Sequence, residues 1–110
     1  MKAKSAIAKG KNFERLIAKI FAKAFNTNIR RTPGSGNLDI KGDLRNLSGP
    51  LEEWVIECKK QEKINIWDCI HQSQRQAGSK KWLLVFSRNR EKEYVCLDLQ
   101  DWIELIQMKG

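Results

Sequence analysis

The sequence predicts one α/β domain over residues 1–110, a central mixed sheet flanked by helices in the order α-β-β-β-α-β-β-α. Three observations predict it. Apolar residues recur at helical spacing near residues 5–25, 64–77 and 99–106. Between them lie short apolar or β-branched runs bounded by turn residues, the clearest at 54–60 and 82–86. The length, 110 residues with 41% apolar and 31% charged content, suits a single soluble globular domain. Helices alternating with strands in this way give a layered sandwich.

The first helix is expected near residues 5–25. Phe13, Leu16, Ile17, Ile20, Phe21 and Ala24 make one apolar stripe. Lys11, Arg15, Lys19 and Lys23 repeat every four residues on the other side. That row is a solvated face or, with a net charge of +8, a face for phosphates. Glu14 lies at the edge of the stripe, on the side of Ile17 and Phe21. It can point toward whatever the helix packs on, or pair with a neighbouring cation on the helix.

A short strand follows at 28–32, and then Pro33-Gly34-Ser35-Gly36-Asn37. These residues tolerate unusual backbone angles and suit a surface turn. Their small side chains would equally let a phosphate backbone approach, with Arg30 and Arg31 beside it. The next strand region, 38–47, carries Asp39 and Asp43, and Ser48-Gly49-Pro50 is a turn.

The central strand is Trp54-Val55-Ile56-Glu57-Cys58-Lys59-Lys60. Its side chains alternate, so Trp54, Ile56 and Cys58 share one face and Val55, Glu57 and Lys59 the other. Glu57 and Lys59 can make a salt bridge at the strand's end. A hairpin turning near Pro50 places opposite each other the positions that sum to about 100. Asp43 then faces Glu57, and Asp39 faces Gln61. Two carboxylates about 5 Å apart repel unless something positive sits between them. Lys59 is one candidate and a divalent cation the better one, because Lys59 alone leaves oxygens of both acids unused.

The second helix, near 64–77, has Asn65 as its cap, Asp68 in its first turn and Gly78 as its stop. Ile66, Ile70, Ser73 and Ala77 form its inner face. His71, the only histidine, has no telling partner and reads as a surface or packing residue. The apolar run at 82–86 is a central strand covered on both sides. Residues 94–97 form the last strand, and Asp98 caps a helix with Leu99, Trp102, Ile103 and Ile106 on one face. Cys58, Cys69 and Cys96 are spaced neither for a metal nor in pairs, which points to reduced thiols and a cytoplasmic setting. No apolar run nears the roughly 20 residues of a membrane span, and no export signal is expected.

Glu14 on the first helix, an acid before a hairpin and then Glu57-Cys58-Lys59 together resemble the PD-(D/E)XK nuclease superfamily. Within it the chain looks like the archaeal-type Holliday junction resolvases and their phage relatives. Gly10-Lys11-Asn12-Phe13-Glu14 is similar to the start of that family's first helix, and Arg31-Thr32-Pro33-Gly34-Ser35 to its arginine- and serine-bearing loop. The likeness covers nearly the whole chain. It departs at the proline that names the motif, because Gly42 precedes Asp43 and Leu38 precedes Asp39. Counted forward from the glycine loop, Asp39 takes the acid's place; counted back from Glu57 across the hairpin, Asp43 does. Asp43 is preferred, because metal binding requires two carboxylates that meet in space.

The resemblance implies a restriction-endonuclease-like core and a metal-dependent endodeoxyribonuclease of recombination and repair, bacterial, archaeal or phage-encoded. It implies Mg²⁺, with Mn²⁺ able to substitute, held by Asp43, Glu57 and the carbonyl of Cys58. Glu14 completes the acidic cluster, and Lys59 orients water or neutralises the phosphate. Lys11, Arg15, Arg30, Arg31 and Ser35 hold DNA, a four-way junction in the first instance, and the active form is a homodimer. A related nuclease nicking or cutting ordinary duplex, or a non-catalytic basic DNA-binding protein, are the alternatives.

Overall fold

The computed structural model describes residues 2–32, 42–46 and 48–109, with side chains from residue 9 onward. Helix α1 (Lys2–Phe25) leads into β1 (Arg30–Arg31), β2 (Leu44–Arg45) and β3 (Trp54–Lys60). Helix α2 (Ile66–Ala77), strands β4 (Lys81–Ser87) and β5 (Tyr94–Leu97), and helix α3 (Leu99–Lys109) follow. This is the expected order. The sheet runs β1-β2-β3-β4-β5; only β3 and β4 are parallel, joined through α2, and the other pairs are antiparallel.

Alternation along β3 sorts the core into two layers. Ile56 packs with Phe13 and Ile17 of α1, Leu44 and Val85; Trp54 and Cys58 lean on the same cluster. Val55 packs on the other face with Cys69 and Ala77 of α2, Trp82 and Leu84. Ile17, Leu44, Ile56, Leu84 and Val85 are essentially fully buried, each contributing about 1.5–3 kcal/mol of hydrophobic stabilisation. Lys60 reaches back over the Phe13 ring, 5.8 Å from its centroid, on the α1 side. Its neighbour Lys59 therefore belongs to the opposite face, with Val55 and Glu57.

Helix α2 begins and ends where its cap residues dictate. The Asn65 side chain accepts the Asp68 N–H at 3.2 Å, and the Gly78 N–H donates to the Gln74 carbonyl beyond the last turn. Cys69 joins Ser73 and Ala77 as a buried residue of this helix, and the Ser73 hydroxyl donates to the Cys69 carbonyl.

Several expectations need correction. Helix α1 starts at Lys2 rather than near residue 5, and the strands expected at 28–32 and 38–47 shrink to two residues each among the described ones. The apolar stripe of α1 is narrower than expected. Phe13, Ile17 and Ala18 are buried, but Leu16 and Ile20 are exposed, because the sheet meets only one flank of the helix. Helix α3 buries no residue, so its expected inner face does not cover the core; Leu99, Trp102 and Ile106 are at least half exposed. It is tied to the sheet by Lys81 and Glu104, 3.5 Å apart. Among the described residues no helix is long and apolar enough to cross a membrane.

Candidate active site

The hairpin register is the one the turn implied: Leu44 pairs with Ile56, positions that sum to 100. The residue before it is held twice. The Asp43 N–H donates to the Ile56 carbonyl at 2.7 Å, and its side-chain Oδ2 accepts the Cys58 N–H at 2.7 Å. Asp43 and Leu44 thus both stand opposite Ile56, so Asp43 is not the direct cross-strand partner of Glu57 that the count to 100 placed there; this is the geometry of a bulge, which re-aims a side chain at the rim of a sheet. A third bond, from the Thr32 N–H to the Asp43 carbonyl, ties this point to the end of β1.

Glu57 shares the site. Its carboxyl is pushed up from 4.5 to about 8, chiefly by burial, then by the Asp43 charge and a hydrogen bond with Asp43. Lys59 pulls it back down by less, and Glu14 adds a weaker push upward. Two acids therefore meet in a half-buried place and retain a proton near neutrality. The Cys58 thiol is held strongly in its neutral form, first by burial and then by Asp43, Glu14 and Glu57. A neutral thiol is a poor nucleophile, and the observed contact of Cys58 with the site is through its backbone N–H.

Glu14 is engaged elsewhere. It accepts a hydrogen bond from Arg31 Nε at 2.9 Å, a half-buried ion pair joining α1 to β1. Among the described residues no three His, Cys, Asp or Glu side chains converge as a ready cation cage. Arg31, expected on DNA, thus spends its guanidinium at least in part on Glu14. Lys11, Arg15, Lys19 and Lys23 are all exposed, and Arg15 also donates to Asn12 Oδ1 at 3.1 Å. Arg30 is exposed on β1. Ser35 and Asp39 lie outside the described residues.

The family model described as phage putative PDDEXK endonuclease matches residues 5–109. The chain belongs to that family. It is a PD-(D/E)XK-type nuclease by family. Neither a curated protein nor a solved structure matches the chain.

The missing proline has a structural reason. Gly42 adopts φ +89°, whereas proline is fixed near −65°. A Cβ there would also lie 2.9 Å from the Ile56 carbonyl oxygen and from Val55 Cγ1. The bulge that turns Asp43 onto the Cys58 amide needs a backbone only glycine adopts readily.

The donor set fits a hard divalent cation. Asp43 and Glu57 offer carboxylate oxygens short of positive charge, and backbone oxygen lies beside them on β3. Sequence reasoning missed two residues near the site. Asn46 is buried and bonds Thr27 Oγ1, the Asn28 carbonyl and the Leu51 N–H, locking the turn that sets the hairpin register. Arg45, two residues after Asp43, pairs across the ladder with Arg30. Alternation past Asp43 was the only signal for either.

Proposed function

We propose that the protein is a divalent-metal-dependent DNA endonuclease that resolves branched DNA, four-way junctions first, by paired hydrolysis of phosphodiesters. The observation that carries it is the meeting of Asp43 and Glu57, with Lys59 on the same strand and face as Glu57. Asp43, Glu57 and the Cys58 carbonyl would hold Mg²⁺, or Mn²⁺ in its place. When bound, such an ion supplies an activated water and offsets charge building on the phosphate.

The chain's own residues do the rest. The Cys58 N–H fixes the Asp43 carboxylate in place. Lys59, an ammonium beside Glu57, aligns the attacking water or neutralises the phosphate oxygens. Glu14, close enough for its charge to be felt at Glu57, steadies Arg31 at the entrance to the site. The exposed row Lys11, Arg15, Lys19 and Lys23 binds phosphates, as do Arg30 of β1 and Ser35.

The active form is a homodimer, which suits two matched cuts across a junction. Its support is an unpartnered apolar surface. Leu99, Trp102, Leu105, Ile106 and Met108 of α3 are exposed, as is Trp67 of α2.

The test compares an end-labelled four-way junction with its component duplexes, in Mg²⁺ and in chelator. Junction cleavage only with metal is expected. Equal cleavage of plain duplex replaces the junction reading with a duplex nuclease, and binding without any cleavage replaces it with a DNA-binding protein. Binding is expected to weaken steeply with salt, by about 0.9 log units per log unit of salt for each phosphate neutralised.

A further inference from the structure

We infer that Arg30 and Arg45 form a phosphate-binding subsite on the β1–β2 ladder, separate from the acidic pair. The two residues are direct partners on antiparallel strands. Such partners point to the same face with Cβ atoms about 4.5–5.5 Å apart, and like charges so placed destabilise the sheet. A carboxylate would relieve them, yet among the described residues neither guanidinium reaches one. The ion pairs found there are Arg31–Glu14, Lys81–Glu104 and Arg88–Glu91. An oxyanion between the two arginines relieves that repulsion, and a guanidinium's planar fork matches phosphate oxygens.

The surroundings are built for such a guest. Arg30 and Arg45 line a cleft of about 370 Å³ whose other walls are Thr27, Asn28, Asn46 and Ser48. Among the described residues, every one that lines it is polar or basic and none is acidic. Of two other clefts, one carries Glu62 and Glu91; the other carries Glu52 and Glu53 and shares Arg45 and Asn46 with this one. The floor is rigid before any ligand arrives. Asn46 is 6% exposed and spends its amide on Thr27, Asn28 and Leu51. Gly49 packs directly against the Asn46 side chain, so a Cβ there would displace its amide. Rigid walls reduce the ordering cost of binding.

Arg45 follows Asp43 by two residues, roughly 7 Å along a strand. The phosphate held here is a neighbour of the one at Asp43 and Glu57, on the same DNA strand. This placement rests on the nuclease reading; the oxyanion site itself does not.

The experiment uses the full chain with Arg45→Gln, Arg45→Lys and Arg30→Gln, and has two arms, both in chelator so that no cutting occurs. In the first, thermal unfolding is followed at low salt with inorganic phosphate or with chloride at matched ionic strength. Phosphate is expected to raise the wild-type melting temperature above the chloride control, and each Gln variant to lose most of that rise. Without phosphate, Arg45→Gln is expected to melt above wild type, because a repulsion is gone. In the second arm, binding of a labelled DNA junction is measured against salt. Each Gln variant is expected to lower the slope of log K against log salt by about 0.9, the value for one phosphate, and Arg45→Lys to keep most of it. An unchanged phosphate response together with an unchanged slope in both Gln variants overturns the inference. Loss of the phosphate response with a wild-type slope overturns its assignment to DNA. Neither arm involves cleavage, so an enzyme that fails to cut junctions leaves these outcomes readable.

Discussion

Replacing Glu57 by Gln removes one of two apposed acids while keeping a group that can hydrogen-bond Asp43. The folded protein holds the Glu57 proton up to about pH 8, against 4.5 for an ordinary glutamate. A carboxyl whose pKa is raised on folding is neutral in both states at low pH. Its stabilising proton is lost as pH climbs, so metal-free wild type should lose stability between pH 4.5 and about 8. At about 1.4 kcal/mol per pH unit, the penalty is about 1 kcal/mol at pH 5 and roughly 3 kcal/mol at pH 7. Glu57→Gln should escape it, so the variant should exceed wild type by about that margin near neutrality and match it below pH 4.5. Urea unfolding of both proteins in chelator, at several values across that window, gives the difference directly. Mg²⁺ should then raise wild-type stability, more so at pH 8 than at pH 6 because the ion competes with the proton, and should barely affect the variant. Parallel stability curves for the two proteins from pH 4.5 to 8 would refute the reasoning, for then Glu57 is neither desolvated nor crowded by Asp43.

Three further outcomes follow from the same geometry. Asp43→Asn should abolish cleavage while junction binding persists or tightens in a gel-shift assay, since the lost charge also repels phosphate; Asp39→Asn should leave cleavage within a few-fold. Gly42→Ala forces a Cβ into a left-handed backbone and against Ile56, costing about 1–3 kcal/mol in backbone strain alone; thermal unfolding should show the loss, and junction cleavage should fall further than stability explains because Asp43 is displaced. Trp102→Glu places a charge on the exposed face of α3; under the proposed homodimer, light scattering should show wild type as a dimer and the variant as a monomer at the same concentration, with paired cuts lost before single nicks.

Features set by neighbours in the chain were legible before the fold was known. Ser48-Gly49-Pro50 located the turn, and the turn fixed the pairing of Leu44 with Ile56. Asn65 and Gly78 marked the ends of α2 because caps act within a single helical turn. What escaped depended on contacts distant in sequence. The Arg31–Glu14 pair spans 17 positions and exists only because α1 lies across β1. Helical periodicity shows that Leu16, Ile20 and the α3 residues can be buried, not whether anything arrives to bury them. The positive φ of Gly42 has no sequence mark beyond the glycine itself. Nothing in the sequence singles out Arg45; its pairing with Arg30 emerges only with the fold.

The two acids ride on unequal supports. Glu57 belongs to a seven-residue strand paired along its whole length with β4, at the centre of the sheet. Asp43 adjoins a two-residue strand near the sheet's edge, held by a few backbone bonds. Amide protons around Asp43 should therefore exchange through local opening, at a fraction of the free energy needed to expose those of β3. Each such opening separates the acids and relieves their repulsion without unfolding the domain. A cation that bridges them must hold that edge shut, so slowed exchange at Asp43 and Leu44, with β3 unchanged, would report metal occupancy before any DNA is present.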